Sequence, residues 1–69
     1  MTPDELVTKL RIQFGAHVEW SLGMGDSRRV IIGRRWAIVD GHGVQAPMDP
    51  DKLRLILDRL GLEAEDLED

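Results

Sequence analysis

Residues 28–39 read RRVIIGRRWAIV, and this stretch decides the fold. Its two halves, Arg28–Ile32 and Arg35–Val39, are rich in the β-branched and aromatic residues that favour strands. Gly33 and Arg34 separate them, and a short connection containing glycine predicts an antiparallel β-hairpin. The sequence leaves the register of the hairpin ambiguous. We expect a three-residue loop, because it gathers large apolar side chains on one face. They are Val30, Ile32, Trp36 and Ile38.

A helix is predicted on the N-terminal side of the hairpin, over residues 3–14. Thr2 and Glu5 have the spacing of a capping box, and Pro3 takes the favoured first helical position. Apolar residues at helical spacing form the expected buried stripe. They are Leu6, Val7, Leu10 and Phe14. Gly15 is placed to end this helix in the left-handed conformation.

A second helix is predicted after the hairpin. Asp49 is the candidate N-cap, and Pro50 follows at the first helical position. The expected stripe consists of Leu53, Ile56, Leu57 and Leu60. Gly61 is the expected stop, and Leu62 is placed for the apolar contact that accompanies such stops.

Shorter segments complete the order of elements. The alternation in His17–Leu22 predicts a half-buried strand, and a glycine-rich connection follows over residues 23–27. Asp40–Gly43 predicts a turn, and Val44–Ala46 a short fourth strand. The expected fold is α+β, with two layers in the order α-β-β-β-(β)-α. Two helices would pack on one face of a three- or four-stranded antiparallel sheet.

Composition bounds the class of protein. The chain has 69 residues, of which 42% are hydrophobic and 32% charged, as in ordinary globular domains. It has no cysteine, which excludes a disulfide scaffold, a thiolate zinc site and a cysteine nucleophile. No apolar run approaches the ~20 residues that span a bilayer, and the acidic start does not resemble a signal peptide. We therefore expect a cytoplasmic protein that does not engage a membrane.

The net charge of −4 is unevenly distributed. Residues 1–60 carry nine basic and eight acidic side chains, whereas residues 61–69 carry five acidic side chains and no basic one. The nearly neutral part differs from a uniformly acidic DNA mimic and from a strongly basic nucleic-acid binder. We expect residues 1–62 to form a single domain and residues 63–69 an acidic C-terminal tail. The tail either forms one more helical turn, with Leu67 packing back, or frays.

The most distinctive candidate site is a group of basic residues on the hairpin. Four arginines fall within eight residues, at the two ends of the hairpin, and a tryptophan adjoins them. They are Arg28, Arg29, Arg34, Arg35 and Trp36. The arginine fork suits phosphate and carboxylate groups, and Trp36 could stack on a base. The alternatives are that the arginines are solvated edge charges and that Trp36 is a core or half-core residue.

Two weaker candidates remain, and neither defines a catalytic site. His42 lies in a turn between two glycines, where it could act as a general acid or base. Ser27 would be a nucleophile only with a base beside it. His17 and His42 lack the spacing and the third ligand of a metal site, so we predict no metal and no cofactor.

The chain resembles the HicA toxins, small mRNA interferases with a fold like the double-stranded RNA-binding domain. The matching segments are Asp4–Phe14, Arg28–Val39 and Lys52–Leu62, which reads KLRLILDRLGL. The family's catalytic histidine follows a glycine and a small hydroxyl residue near the start of the second strand. Here Ser27 fits the hydroxyl position, and Arg28 stands in place of the histidine.

The leading hypothesis is a non-enzymatic binding module that engages RNA, DNA or a protein partner through the arginine-rich hairpin. The resemblance implies an alternative, a HicA-like mRNA interferase of a toxin–antitoxin pair. A third hypothesis is a small inhibitor that blocks a nucleic-acid-binding partner, of the kind encoded by phages or mobile elements. An open sheet edge would also allow homodimerisation by strand pairing.

Overall fold

A computed structural model describes residues 1–20 and 27–67, and the predicted α+β fold is confirmed there. Helix α1 covers Pro3–Phe14, and helix α2 covers Pro50–Leu60. Three strands lie between the helices: β1 at His17–Trp20, β2 at Arg28–Ile32 and β3 at Arg35–Val39. A 3-10 turn at Ala64–Leu67 follows α2. In this described part of the chain, neither helix is long and apolar enough to cross a membrane. The end of the predicted first strand and residues 23–26 of the glycine-rich connection lie outside the described residues.

Both helices begin and end at the predicted residues. In α1 the Glu5 amide donates to Thr2 Oγ1 at 3.2 Å, and the Thr2 amide donates back to Glu5 Oε1 at 3.3 Å. Asp49 caps α2 by accepting from the Asp51 amide at 2.9 Å. Gly15 and Gly61 end the two helices in the left-handed conformation, with φ of 64° and 76°. Local sequence alone therefore determines the helix ends.

The sheet is antiparallel in the order β1-β2-β3, and its hairpin register corrects our expectation. Ile32 pairs with Arg35, so Gly33 and Arg34 form a two-residue turn instead of a three-residue loop. Gly33 has a φ of 62°, and no residue other than glycine has a positive φ among the described residues. A positive φ at the first central position alone fits a type II′ turn, whose twist matches that of the strands. Turn geometry, not the size of the apolar side chains, set the register.

The two-residue turn places different side chains in the core. Val30, Ala37 and Val39 share one face and are fully buried, whereas Trp36 and Ile38 lie on the other face. The expected grouping of Trp36 and Ile38 with Val30 was therefore wrong. Both helices contribute to the core on the Val30 face. Their buried residues there are Leu6, Val7, Leu10, Ile56, Leu57 and Leu60.

The predicted fourth strand is absent from the described residues. Val44–Ala46 is irregular, and the Val44 amide donates to the Gly41 carbonyl in a turn. The Met48 amide then donates to the Met1 carbonyl. The segment is thus tied to the start of α1 instead of to a sheet edge, and Pro47 within it has no amide to donate to a strand.

The part of the acidic tail that the structure describes is ordered against α1. Ala64–Leu67 forms a helical turn, the first of the two alternatives for the tail, and Leu67 packs into the core with only 5% of its surface exposed. Lys9 Nζ donates to the Leu67 carbonyl at 3.3 Å. The hydrophobic core therefore extends beyond residue 62.

Candidate functional site

The structure divides the four arginines of the hairpin between different environments. Arg28 and Arg35 lie on the face of the sheet that carries the helices, because each is two residues from a buried core residue, Val30 or Ala37. Arg29 lies on the opposite face, and Arg34 lies in the turn. Proximity in sequence thus did not produce one basic surface, since neighbouring residues of a strand point to opposite faces.

Arg28 is a buried residue with an acidic partner. It is only 7% exposed, and its Nη2 atom donates to Asp4 Oδ1 at 2.6 Å. Its guanidinium carbon lies 5.8 Å from the centre of the Trp20 ring, and its Nε atom is buried without a hydrogen-bond partner. These contacts hold the first turn of α1 to the start of β2. An arginine buried in this way offers little surface to a phosphate group.

Asp4 links three parts of the chain. Besides the Arg28 guanidinium, its carboxylate accepts from the Gly43 amide at 3.1 Å and lies 3.2 Å from His42 Nδ1. Partial burial by itself raises the pKa of Asp4. The hydrogen bond from Gly43 and the positive charges of Arg28 and His42 outweigh that effect, and the pKa falls below its ordinary value of 3.8.

The two weaker candidates are both engaged in contacts with acidic residues. The His42 ring is half exposed, packs edge-on against Trp20 with 4.8 Å between ring centres, and adjoins Asp4. Ser27 is 3% exposed, and its hydroxyl donates to Asp40 Oδ1 at 2.7 Å. The Ser27 hydroxyl is therefore closed off from an external substrate, while His42 can still be reached.

One face of the sheet is left uncovered by the helices. We call it the open sheet face, and it is defined by His17, Glu19, Arg29, Ile31, Trp36 and Ile38. Trp36 is 48% exposed there, and the guanidinium carbon of Arg29 lies 5.1 Å from the centre of its ring. Arg29 Nη1 also lies 4.0 Å from Glu19 Oε1, and both side chains are about half exposed. An ion pair of this length between exposed groups is weak.

Arg34 and Arg35, the two other arginines of the hairpin, lie outside the open sheet face. Both are exposed, and neither forms an ion pair with another residue of the part that the structure describes. The Arg35 side chain also lies against Gly61 at the end of α2. A Cβ atom placed on Gly61 would be 3.0 Å from the Cδ and Nε atoms of Arg35. The Arg35 guanidinium thus lies near the negative end of the α2 dipole.

The sequence patterns did not single out Leu55 and Arg59. These residues of α2 line a hollow of about 290 Å³ together with Trp36, Ile38 and Ile56. Leu55 is 55% exposed, although leucine is usually buried. The sequence did contain a signal that Leu55 is exposed, because Leu55 falls outside the apolar stripe of α2 that faces the core.

No outside comparison identifies the site. Comparison of the chain with protein-family models, with curated proteins and with solved structures finds no match. The resemblance to the HicA toxins therefore stays a prediction. Within residues 1–20 and 27–67, no group of three histidine, cysteine or acidic side chains is placed to hold a metal ion.

Proposed function

We propose that this protein is a non-enzymatic binding module that takes up single-stranded RNA or DNA on its open sheet face. The observation that carries the proposal is the stacked pair of Arg29 and Trp36 on the sheet face opposite the buried Val30. An exposed aromatic ring beside a cation is the arrangement by which proteins bind single strands with little sequence preference.

The shape of the face favours a single strand. An antiparallel sheet offers a flat surface on which unpaired bases can stack, whereas paired bases in a duplex expose only their edges. Ile31 pairs with Trp36 in the register and is half-buried beside it. Apolar surface therefore continues beside the ring, where a base that overhangs the indole can contact it.

The charges near Trp36 suit a polyanion. Arg29 and Arg34 are exposed, and Glu19 is the single acidic residue that defines the open sheet face. The acidic 3-10 turn packs against α1, on the helix-bearing side of the sheet. The arginines can therefore donate to phosphate oxygens while Trp36 holds the base.

The test is a binding titration with labelled oligouridine and oligothymidine. Binding is monitored by fluorescence anisotropy, first at low salt and then at rising salt concentrations. We expect the affinity to fall with salt, with a log–log slope of about −0.7 for each phosphate contacted. Trp36→Leu should weaken binding about tenfold, because stacking contributes ~1–3 kcal/mol per base. Trp20→Leu is the matched control, since Trp20 is similarly exposed but packs against Arg28 and His42 on the other side of the sheet.

Other outcomes would point to the alternative functions. Equal loss in the two tryptophan variants, or no binding at low salt, would reject the proposal. Displacement of the oligonucleotide by polyglutamate as readily as by unlabelled oligonucleotide would indicate an acidic protein partner. RNA cut by the wild type but not by His42→Ala would favour the HicA-like interferase, because His42 beside Asp4 is a reachable acid–base pair.

A further inference from the structure

We infer that the hollow between β3 and α2 is a second base-binding subsite for the same single strand, with Arg59 contacting the adjoining phosphate. This inference rests on the proposed function and extends its site from the sheet onto the helix. The hollow is lined by Trp36, Ile38, Leu55, Ile56 and Arg59.

The hollow shares its wall with the open sheet face. Trp36 and Ile38 belong to both, so a strand that stacks on Trp36 already lies at the rim of the hollow. Its volume of about 290 Å³ is just below the ~300–1,000 Å³ range of small-molecule sites. A space of this size suits one flat base better than a larger ligand.

The lining has the chemistry that a nucleotide needs. Leu55, Ile38 and Trp36 offer apolar surface for the faces of a base, and the first and last of these side chains are about half exposed. Arg59 is exposed and forms no ion pair with any other residue in the described ranges. Its guanidinium is therefore available to a phosphate at the mouth of the hollow.

A neighbouring cavity explains why the strand should occupy this end of α2 and not the other. The second cavity, of about 460 Å³, adjoins the hollow because Ile38, Leu55 and Ile56 line both. It also contains two carboxylates, of Asp40 and Asp49, against the one ammonium of Lys52. Its local charge is negative when these groups are ionised, so it repels phosphate, whereas the hollow carries only the positive charge of Arg59.

The two cavities provide a matched pair of charge variants on one helix. Arg59→Gln and Lys52→Gln each remove one exposed positive charge from α2, and each leaves the buried stripe intact. The probe is the labelled oligouridine of the first titration, measured against salt, with thermal melts to show that each variant is folded.

We expect Arg59→Gln to weaken oligouridine binding about fivefold and to reduce the salt slope by about 0.7, the contribution of one phosphate contact on a single strand. Lys52→Gln should bind like the wild type or slightly less tightly. Leu55→Ala should weaken binding about threefold without changing the salt slope, because it removes apolar contact and no charge.

The outcomes separate this inference from the proposed function. If Trp36→Leu abolishes binding but Arg59→Gln matches Lys52→Gln, the open sheet face binds alone and the subsite is rejected. Equal and substantial loss in both charge variants would also reject it, because diffuse attraction would then account for the effect. If wild-type protein does not bind oligouridine at all, the proposed function and the subsite fail together.

Discussion

Two arginines that are neighbours in the sequence have different roles in the structure. Arg28 and Arg29 are adjacent in sequence, yet one is buried against Asp4 and the other stacks on an exposed tryptophan. Arg28 is buried on the helix-bearing face with a carboxylate within reach, because burying an unpaired charge is costly. Arg29 lies on the face that water reaches, so it keeps a guanidinium that a ligand can use.

We expect the Asp4 carboxylate to stabilise the folded protein through its contact with Arg28. Asp4→Asn should lower the midpoint of thermal unfolding by several degrees at neutral pH, because it leaves the buried Arg28 guanidinium without a negative partner. Asp51→Asn is the matched control. Asp51 also follows the first-position proline of a helix, but it has no arginine partner among the described residues, so it isolates the effect of the helix dipole. Equal losses in the two variants would show that Arg28 does not depend on Asp4.

The same pair predicts how stability changes with pH. Because the pKa of Asp4 is lowered in the folded protein, its stabilising contribution is complete above the ordinary value of 3.8. The contribution is lost as the pH falls from that value through the lower folded-state pKa. Denaturant unfolding across this range should therefore show the difference between wild type and Asp4→Asn shrinking with acid. A difference that stays constant would contradict the lowered pKa.

Local sequence signals determine the ends of the two helices, whereas the turn between β2 and β3 determines the register of the hairpin. The helices begin and end at the predicted caps, because a cap involves residues only a few positions apart. We predicted the hairpin register from side-chain size, and that prediction was wrong because a two-residue type II′ turn fixes a different register. Ala37 thus occupies a core position on the face where a larger residue was expected, and it belongs to the strand that α2 contacts.

We expect the two C-capping glycines, Gly15 and Gly61, to contribute to the stability of the helices that they end. Gly15→Ala should destabilise the protein by about 1 kcal/mol, because alanine is strained at positive φ. Gly61→Ala should cost a similar amount. The three atoms nearest its new Cβ atom all belong to the Arg35 side chain, which is exposed and can move aside, while nothing lies within 4 Å at Gly15. Denaturant unfolding measures both losses, and asparagine at either position should restore part of the stability.

A much larger loss at Gly61 than at Gly15 would contradict this expectation. It would mean that the Arg35 side chain is held in place against the end of α2.

At the scale of the whole molecule, the core includes a residue from the acidic tail. Leu67 packs against a core built from both helices and the sheet, and the 3-10 turn that carries it contacts α1. In a chain of 69 residues each buried leucine is a substantial part of the total stability. The tail thus helps to hold the fold, besides carrying five of the 13 acidic side chains of the chain.

Replacing Leu67 tests this contribution. Leu67→Ala should destabilise the protein by about 2–3 kcal/mol, since it empties a buried leucine site. Leu55→Ala is the matched control and should change stability little, because Leu55 is 55% exposed. Urea unfolding followed by circular dichroism measures both. A loss at Leu67 as small as that at Leu55 would mean that the tail is not part of the core in solution.

Local sequence signals were sufficient to predict the α+β class, the helix bounds and the strands of the hairpin, because helical periodicity, caps and β-branched runs act over short distances. For the tail the sequence left two alternatives, a helical turn with Leu67 packed back and a frayed end, and the structure shows the turn. Tertiary structure decided which arginines are buried, which face Trp36 occupies and that Leu55 and Arg59 of α2 lie beside it. These depend on strand register and on the packing of α2 over β3, which bring together residues far apart in the chain. A one-residue shift in register would exchange the two faces of β3, so the composition of residues 28–39 could not determine the surface they form.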